Sequence, residues 1–136
     1  MAETLRLEVV TPQAIVFSED VEMVTVPGAD GEFGVYPHHF RLIAQVQPGE
    51  LIVVQNGQPR SLAVGEGFCE VTDTRVSILT DMAVAAAKID EAIVQEARDR
   101  AEARLREKLS DEEIAAVNAS LVRSVAQLQV KRRRRG

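Results

Sequence analysis

Tryptophan is absent, and the aromatic residues are only Phe17, Phe33, Phe40, Phe68 and Tyr36. A core must therefore be assembled from valine, isoleucine, leucine and alanine. There is one cysteine, Cys69. That excludes an intramolecular disulfide and a four-cysteine zinc site. Cys69 lies in Gly67-Phe-Cys-Glu-Val71, a run that reads as a strand, where a thiol serves as a small buried hydrophobe. A catalytic thiol needs a base beside it, and neither His38 nor His39 is placed by sequence to supply one. No window approaches the roughly 20 apolar residues that cross a bilayer. The start, Met1-Ala-Glu-Thr-Leu-Arg-Leu7, lacks the basic opening and apolar stretch of a signal peptide. The expectation is a soluble intracellular chain that can dock on a membrane complex. The chain also lacks a Walker-type phosphate loop, an H-E-x-x-H pair and a G-x-S-x-G elbow, so no enzyme class is indicated.

What is present is a chain of 136 residues, 46% apolar, enough for one packed domain or a domain with an appendage. Its net charge of −5 is unevenly spread. Residues 1–88 hold 12 acids and 5 bases, whereas residues 89–136 hold 9 acids and 11 bases. From Arg123 onward there are six bases and no acid. Such a split suggests two segments with different partners.

The first segment carries strand signals. Leu5–Val10 alternates, Val21–Val26 does so loosely, and Leu51–Val54 is a β-branched run. Ser61–Val64, Phe68–Val71 and Arg75–Leu79 follow. Turn residues separate them: Pro27-Gly28, Asp30-Gly31, Pro48-Gly49, Asn56-Gly57 and Gly65-Glu66-Gly67. Asn56-Gly57 predicts a type I′ hairpin, because both central residues must take positive φ. Strands every 8 to 12 residues predict an antiparallel sandwich or barrel.

The grammar changes after Ala83. No glycine or proline occurs between Gly67 and Gly136. Ile89, Ile93, Ala97, Ala101, Leu105 and Leu109 step by four along a predicted helix. Glu96–Arg100 and Glu102–Arg106 have ion-pair spacing on that helix, and Asp90 and Glu91 suit its N-terminus. Ser110-Asp-Glu-Glu113 is a capping box that opens a second helix, striped by Ile114, Val117, Leu121, Val125 and Leu128. The expected architecture is a β-sandwich over residues 1–87 and an antiparallel two-helix hairpin with a basic tail over residues 88–136.

The segment Val21-Glu-Met-Val-Thr-Val-Pro-Gly-Ala-Asp-Gly-Glu-Phe-Gly-Val-Tyr-Pro-His-His39 is similar to a pattern of the epsilon subunit of F-type ATP synthase. Leu7–Pro12 and Val76–Leu79 also fit, and the helices match in pattern. The resemblance covers nearly the whole chain. One departure is His38-His39-Phe40-Arg41, where the family commonly has Gly-His-Ala-Pro.

The resemblance implies a non-catalytic rotor subunit. The sandwich would grip the gamma subunit and rest on the ring of c subunits, on the cytoplasmic face of a bacterial inner membrane. It places Glu32 and Phe33, read here as a turn held between glycines, toward the c ring, and His39 toward gamma. In the family the helices lie folded on the sandwich or extend along gamma, where basic residues meet the alpha and beta subunits and restrain hydrolysis. Arg123, Lys131, Arg132, Arg133, Arg134 and Arg135 supply unopposed positive charge for that contact. No cofactor is implied for the rotor role. Some bacterial members bind ATP in the folded hairpin through I/L-D-x-x-R-A. Here Ile89-Asp90-Glu-Ala-Ile93-Val94 keeps the aspartate and loses the arginine. Losing a bidentate donor weakens such a site, leaving Asp90, Arg100 and Arg123 as weak ATP candidates. The rival is a sandwich adaptor whose basic arm binds nucleic acid. The acidic sandwich and the scarcity of stacking aromatics argue against it.

Overall fold

The computed structural model describes residues 3–135; the side chains of Arg134 and Arg135 lie outside the described part. Among the described residues ten strands form one sheet: nine follow the hydrogen-bonded path β10-β7-β6-β3-β5-β8-β9-β1-β2, and β4 pairs with β3 off that path. They are β1 (Leu5–Val10), β2 (Ile15–Val21), β3 (Met23–Gly28), β4 (Gly31–Val35) and β5 (Leu42–Val46), then β6 (Gly49–Gln55), β7 (Gln58–Val64), β8 (Gly67–Val71), β9 (Arg75–Thr80) and β10 (Ala83–Ala85).

The expected antiparallel sandwich is present, with one pair of the other sense: β1 runs parallel to β9. The path curls until its far end meets its middle. Gln55 Nε2 donates to Glu19 Oε1 at 3.2 Å and to the Asp20 carbonyl at 3.1 Å, and the Glu22 amide donates to Val54. The Arg60 guanidinium lies 5.6 Å from the Phe17 ring centre. Inside lies an aliphatic core: Leu5, Leu7, Val9, Val21, Val24, Val26, Val35, Leu51, Val53, Ile78 and their neighbours are buried. Cys69 belongs to it, and burial pushes its thiol up to about 12. It stays a neutral thiol at physiological pH.

The Asn56-Gly57 turn has φ of 50° and 73°, as the type I′ expectation requires. Strands β2, β4, β5 and β10 were not among those expected. The segment read as a turn around Glu32 is strand β4. The chain reverses at Ala29-Asp30, and Gly31, at φ 127°, starts the return strand. From there Phe33 pairs opposite Val26 and Val35 opposite Val24. Glu32 is thus held in strand register opposite Pro27.

A 3-10 turn, Ala86–Lys88, leads to α1 (Glu91–Arg104). Asp90 caps it, its carboxylate accepting from the amides of Ala92 and Ile93. The capping box is complete at α2 (Asp111–Arg135): Ser110 Oγ accepts from the Glu113 amide and Glu113 accepts from the Ser110 amide, each at 3.2 Å. Those bonds, the backbone one first, lower the Glu113 pKa, with help from Arg104.

The α1 face differs from the expected ridge. Ile93 is 62% exposed and Leu105 is also exposed, while Ala101 is buried and Val94, Ala97 and Arg98 are half-buried. Burial follows the 94–98–101 line because α2 packs there. Glu102 accepts from Arg98 at 3.2 Å rather than pairing with Arg106, which lies beyond the end of α1 at Arg104; Glu96–Arg100 pairs at 3.6 Å as expected. On α2, Ile114 is exposed, and Val117, Ser124, Ala126, Leu128 and Val130 are buried. The two helices form the expected hairpin, and α2 also lies against β6 and β7.

Candidate functional site

The sandwich exposes one apolar row. Phe68 of β8 stands in register with Leu79 of β9, Leu79 with Val10 of β1, and Val10 with Ile15 of β2. Phe68 is 62% exposed, Leu79 57% and Ile15 65%, and Ile43 of neighbouring β5 is 73% exposed. Strand alternation explains it: the inward partners Cys69, Ile78 and Val9 fill the core, so the intervening residues must face out. A shallow groove of about 470 Å³ lined by Val10, Pro12, Gly67 and Leu79 lies beside the row. A contiguous apolar patch of this kind marks an interaction surface. None of these residues was picked from sequence. The signal lay in Phe68-Cys69-Glu70-Val71, where only one of two apolar sets can face inward.

The residues expected at partner contacts are placed as follows. Glu32 is exposed on β4. Phe33 is half-buried and packs on the core, so part of its ring serves the fold. His39 lies on the loop between β4 and β5, its Nδ1 2.7 Å from the Phe40 carbonyl and its ring stacked on Phe40 at 4.3 Å. Neighbouring His38 takes a left-handed backbone at φ 66°, its amide donates to Asp73, and its Nε2 lies 3.3 Å from the Glu3 carboxylate. Phe40 and Tyr36 are exposed beside them.

The basic arm is not unopposed. Arg123 lies 3.6 Å from Asp81. Lys131 Nζ donates to the Ala86 carbonyl at 3.1 Å. Arg132 donates to Glu91 and Gln95, each at 2.7 Å. Arg133 donates to Glu50 at 2.7 Å. The arm is folded back, and its charge is spent on the chain's own acids and carbonyls. Sequence reasoning missed this because the partners lie up to 83 positions away. The same feature removes the motive for the nucleic-acid reading, since four of the six bases are engaged. Arg134 and Arg135, with side chains outside the described part, are not placed.

The three ATP candidates are not brought to one cavity. Asp90 spends its carboxylate on the α1 cap. Arg100 pairs with Glu96 and lines a cleft between the helices with Ala97, Ala101, Arg104, Val117 and Ser120. Arg123 lines a different cavity with Pro48, Glu66 and Asp81.

Comparison with known proteins bears on the whole chain. Residues 4–86 match the family described as ATP synthase, Delta/Epsilon chain, beta-sandwich domain, and residues 87–132 match its long alpha-helix domain. The ATP synthase epsilon chain of Herpetosiphon aurantiacus is 41% identical over 131 residues, covering 96% of both chains. That of Desulforamulus reducens is 39% identical over 129 residues, covering 95% of this chain and 98% of the relative. Among solved structures, a chain of the Euglena gracilis mitochondrial ATP synthase, OSCP/F1/c-ring, superposes with a TM-score of 0.66 at 23% identity. It covers 95% of this chain and 78% of that one. A chain of the Tetrahymena thermophila mitochondrial ATP synthase, central stalk/c-ring, gives 0.60 at 12% identity, covering 96% and 98%. The two superpositions establish the fold.

Proposed function

The chain belongs to the ATP synthase epsilon-chain family, and from that premise we propose that its sandwich docks on the rotor while its hairpin restrains ATP hydrolysis. Members of this family are accessory subunits and make or break no bond themselves. The observation that carries the docking half is the exposed row Phe68, Leu79, Val10 and Ile15 with adjacent Ile43. Such a face suits a rotating joint. It buries apolar surface against a shaft, needs no titrating group, and transmits torque through close packing. The gamma subunit is the partner proposed for this face. The c ring is proposed for the loop side, through Glu32 and Phe33, and His39 is proposed as a further contact to gamma. The chain would sit peripherally at the membrane, on the cytoplasmic side of a bacterial inner membrane; no described helix is long and apolar enough to cross one.

The restraining half rests on the hairpin's separation from the main core. The core cluster contains residues from the strands and none from α1 or α2. The hairpin is therefore an arm that can leave without dissolving the sandwich. Once free, its bases can meet acidic surfaces of the alpha and beta subunits, an attraction that weakens with salt.

One reconstitution tests both halves. The catalytic complex is rebuilt with full-length chain, with Phe68→Ser, and with a chain ending at Ala87. Burying a phenylalanine contributes about 1.5–3 kcal/mol, so Phe68→Ser should weaken retention at least tenfold while leaving stability within about 0.5 kcal/mol. The truncated chain should be retained and should raise hydrolysis. Full retention of Phe68→Ser refutes the docking face. Equal hydrolysis with retained full-length and truncated chains refutes the restraint.

A further inference from the structure

The last turn of α2 reaches three other parts of the chain within four consecutive residues. Val130 enters a small apolar cluster with Ala63 of β7 and Ile89, edged by Met82, Val84, Ala86 and Val94. Lys131 holds the carbonyl of Ala86, in the turn that joins sandwich to hairpin. Arg132 holds Glu91 and Gln95 at the start of α1. Arg133 reaches the sheet itself.

Its partner there is the telling residue. Glu50 sits on β6 with 5% of its side chain exposed. Ser61 of β7 donates to one carboxylate oxygen at 2.7 Å, and Arg133 donates to the other at 2.7 Å. A carboxylate is costly to bury unless it is paired and hydrogen-bonded. At the same depth the sandwich uses valine and leucine. A buried acid on β6 that meets a cation from the far end of the chain makes the docked arm a condition of its own solvation.

We infer that Glu50 and Arg133 form a lock that holds the hairpin on the sandwich, with Lys131 and Arg132 bracing the hinge, so that the basic run acts first to retain the arm. A guanidinium seated on Glu50 cannot serve an acidic partner surface at the same time. The lock therefore opposes extension, and its loss has the opposite sign from the loss of a tail that only binds the catalytic head. The structural half of this inference rests on the contacts alone. The consequence for hydrolysis rests on the restraint proposed above.

The test is hydrogen exchange on the full-length chain, wild type against Arg133→Gln and Glu50→Gln, read on the amides of 124–133. The amides of β1 and β9 serve as the internal control. Both variants should exchange the α2 amides at least about tenfold faster while β1 and β9 keep their protection. The double variant should add little to Glu50→Gln alone, because the contact of Arg133 with the sheet is already weakened in that variant. Arg133→Gln leaves Glu50 its Ser61 donor, and the released arm bares the carboxylate to water, so β1 and β9 keep their protection even if Glu50→Gln loosens the sheet. Unchanged α2 protection in Arg133→Gln overturns the lock. In the rebuilt complex, Glu50→Gln leaves every tail charge in place and should lower hydrolysis below wild type. Faster α2 exchange with unchanged hydrolysis upholds the lock and refutes the restraint instead.

Discussion

Replacing Val130 by alanine should release the hairpin while sparing the sandwich. Val130 is buried against Ala63 and Ile89, with Met82, Val84, Ala86 and Val94 around them. The change removes two methyl carbons, each worth about 0.8 kcal/mol when buried. A cavity term adds to this, and the flexible Met82 side chain recovers part of it. The net cost is about 1.5–2.5 kcal/mol of docking, or roughly ten- to sixtyfold in the docked-to-free ratio. Alanine is meanwhile the better helix former by a few tenths of a kcal/mol, so α2 itself gains. The two effects separate in limited tryptic digestion. Cleavage between Arg98 and Lys108 should accelerate by roughly the docking factor, because it samples the open population. Cleavage at Arg41 and Arg60 in the sandwich should not change, and helix content by circular dichroism should hold or rise. An unchanged hairpin cleavage rate would refute the assignment of Val130 to docking. Equal acceleration at Arg41 and Arg60 would refute the separation of arm from body.

Gly67→Ala should destabilise the sandwich by about 3 kcal/mol or more in urea unfolding, because a Cβ there would overlap the backbone oxygen of Leu79 and force β8 from β9. A loss under 1 kcal/mol would mean that the strands yield more easily than their register implies. Glu113 has its pKa lowered in the folded chain, so its contribution is present above the ordinary carboxylate range and disappears as pH falls from about 4.5 through the lowered value. Carboxyl titration by NMR should place Glu113 below an ordinary glutamate, and Ser110→Ala should raise it only part of the way, because the amide at 110 still donates to the carboxylate; a wild-type titration at the ordinary value would refute the capping box in solution.

Features decided by neighbouring residues were legible in the chain. Asn56-Gly57 demands its turn by backbone sterics alone, and Ser110 with Glu113 satisfies two amides three positions apart. The even strand spacing likewise conveyed the sandwich. Strands β4 and β5 escaped because Gly31 and Gly34 imitate a turn and β5 follows a loop with no apolar lead. In α1, alanines at 92, 97, 101 and 103 populate several faces, so spacing cannot decide which one packs; α2 decides it by arriving over Val94, Arg98 and Ala101. The apolar row across β8, β9, β1 and β2 needs the register, including one parallel pair whose members lie some 70 positions apart in the chain. The partner of Arg133 is a buried glutamate whose place in the core no local pattern announces.

The turn Ala86–Lys88 joins two halves with no glycine or proline to set its angle. Glu50 and the pocket around Val130 recognise an arm by its chemistry and not by its ownership. The tether gives each chain's own arm an effective concentration on the order of millimolar. Below that the arm returns home, and the chain is self-contained. When chains are packed beyond it, or held side by side, a neighbour's Glu50 and Val130 pocket come within reach of the arm, and opening the Ala86–Lys88 turn lets two molecules trade hairpins. Closed exchange of this kind consumes the arm in a dimer that keeps its apolar sheet face uncovered on both members.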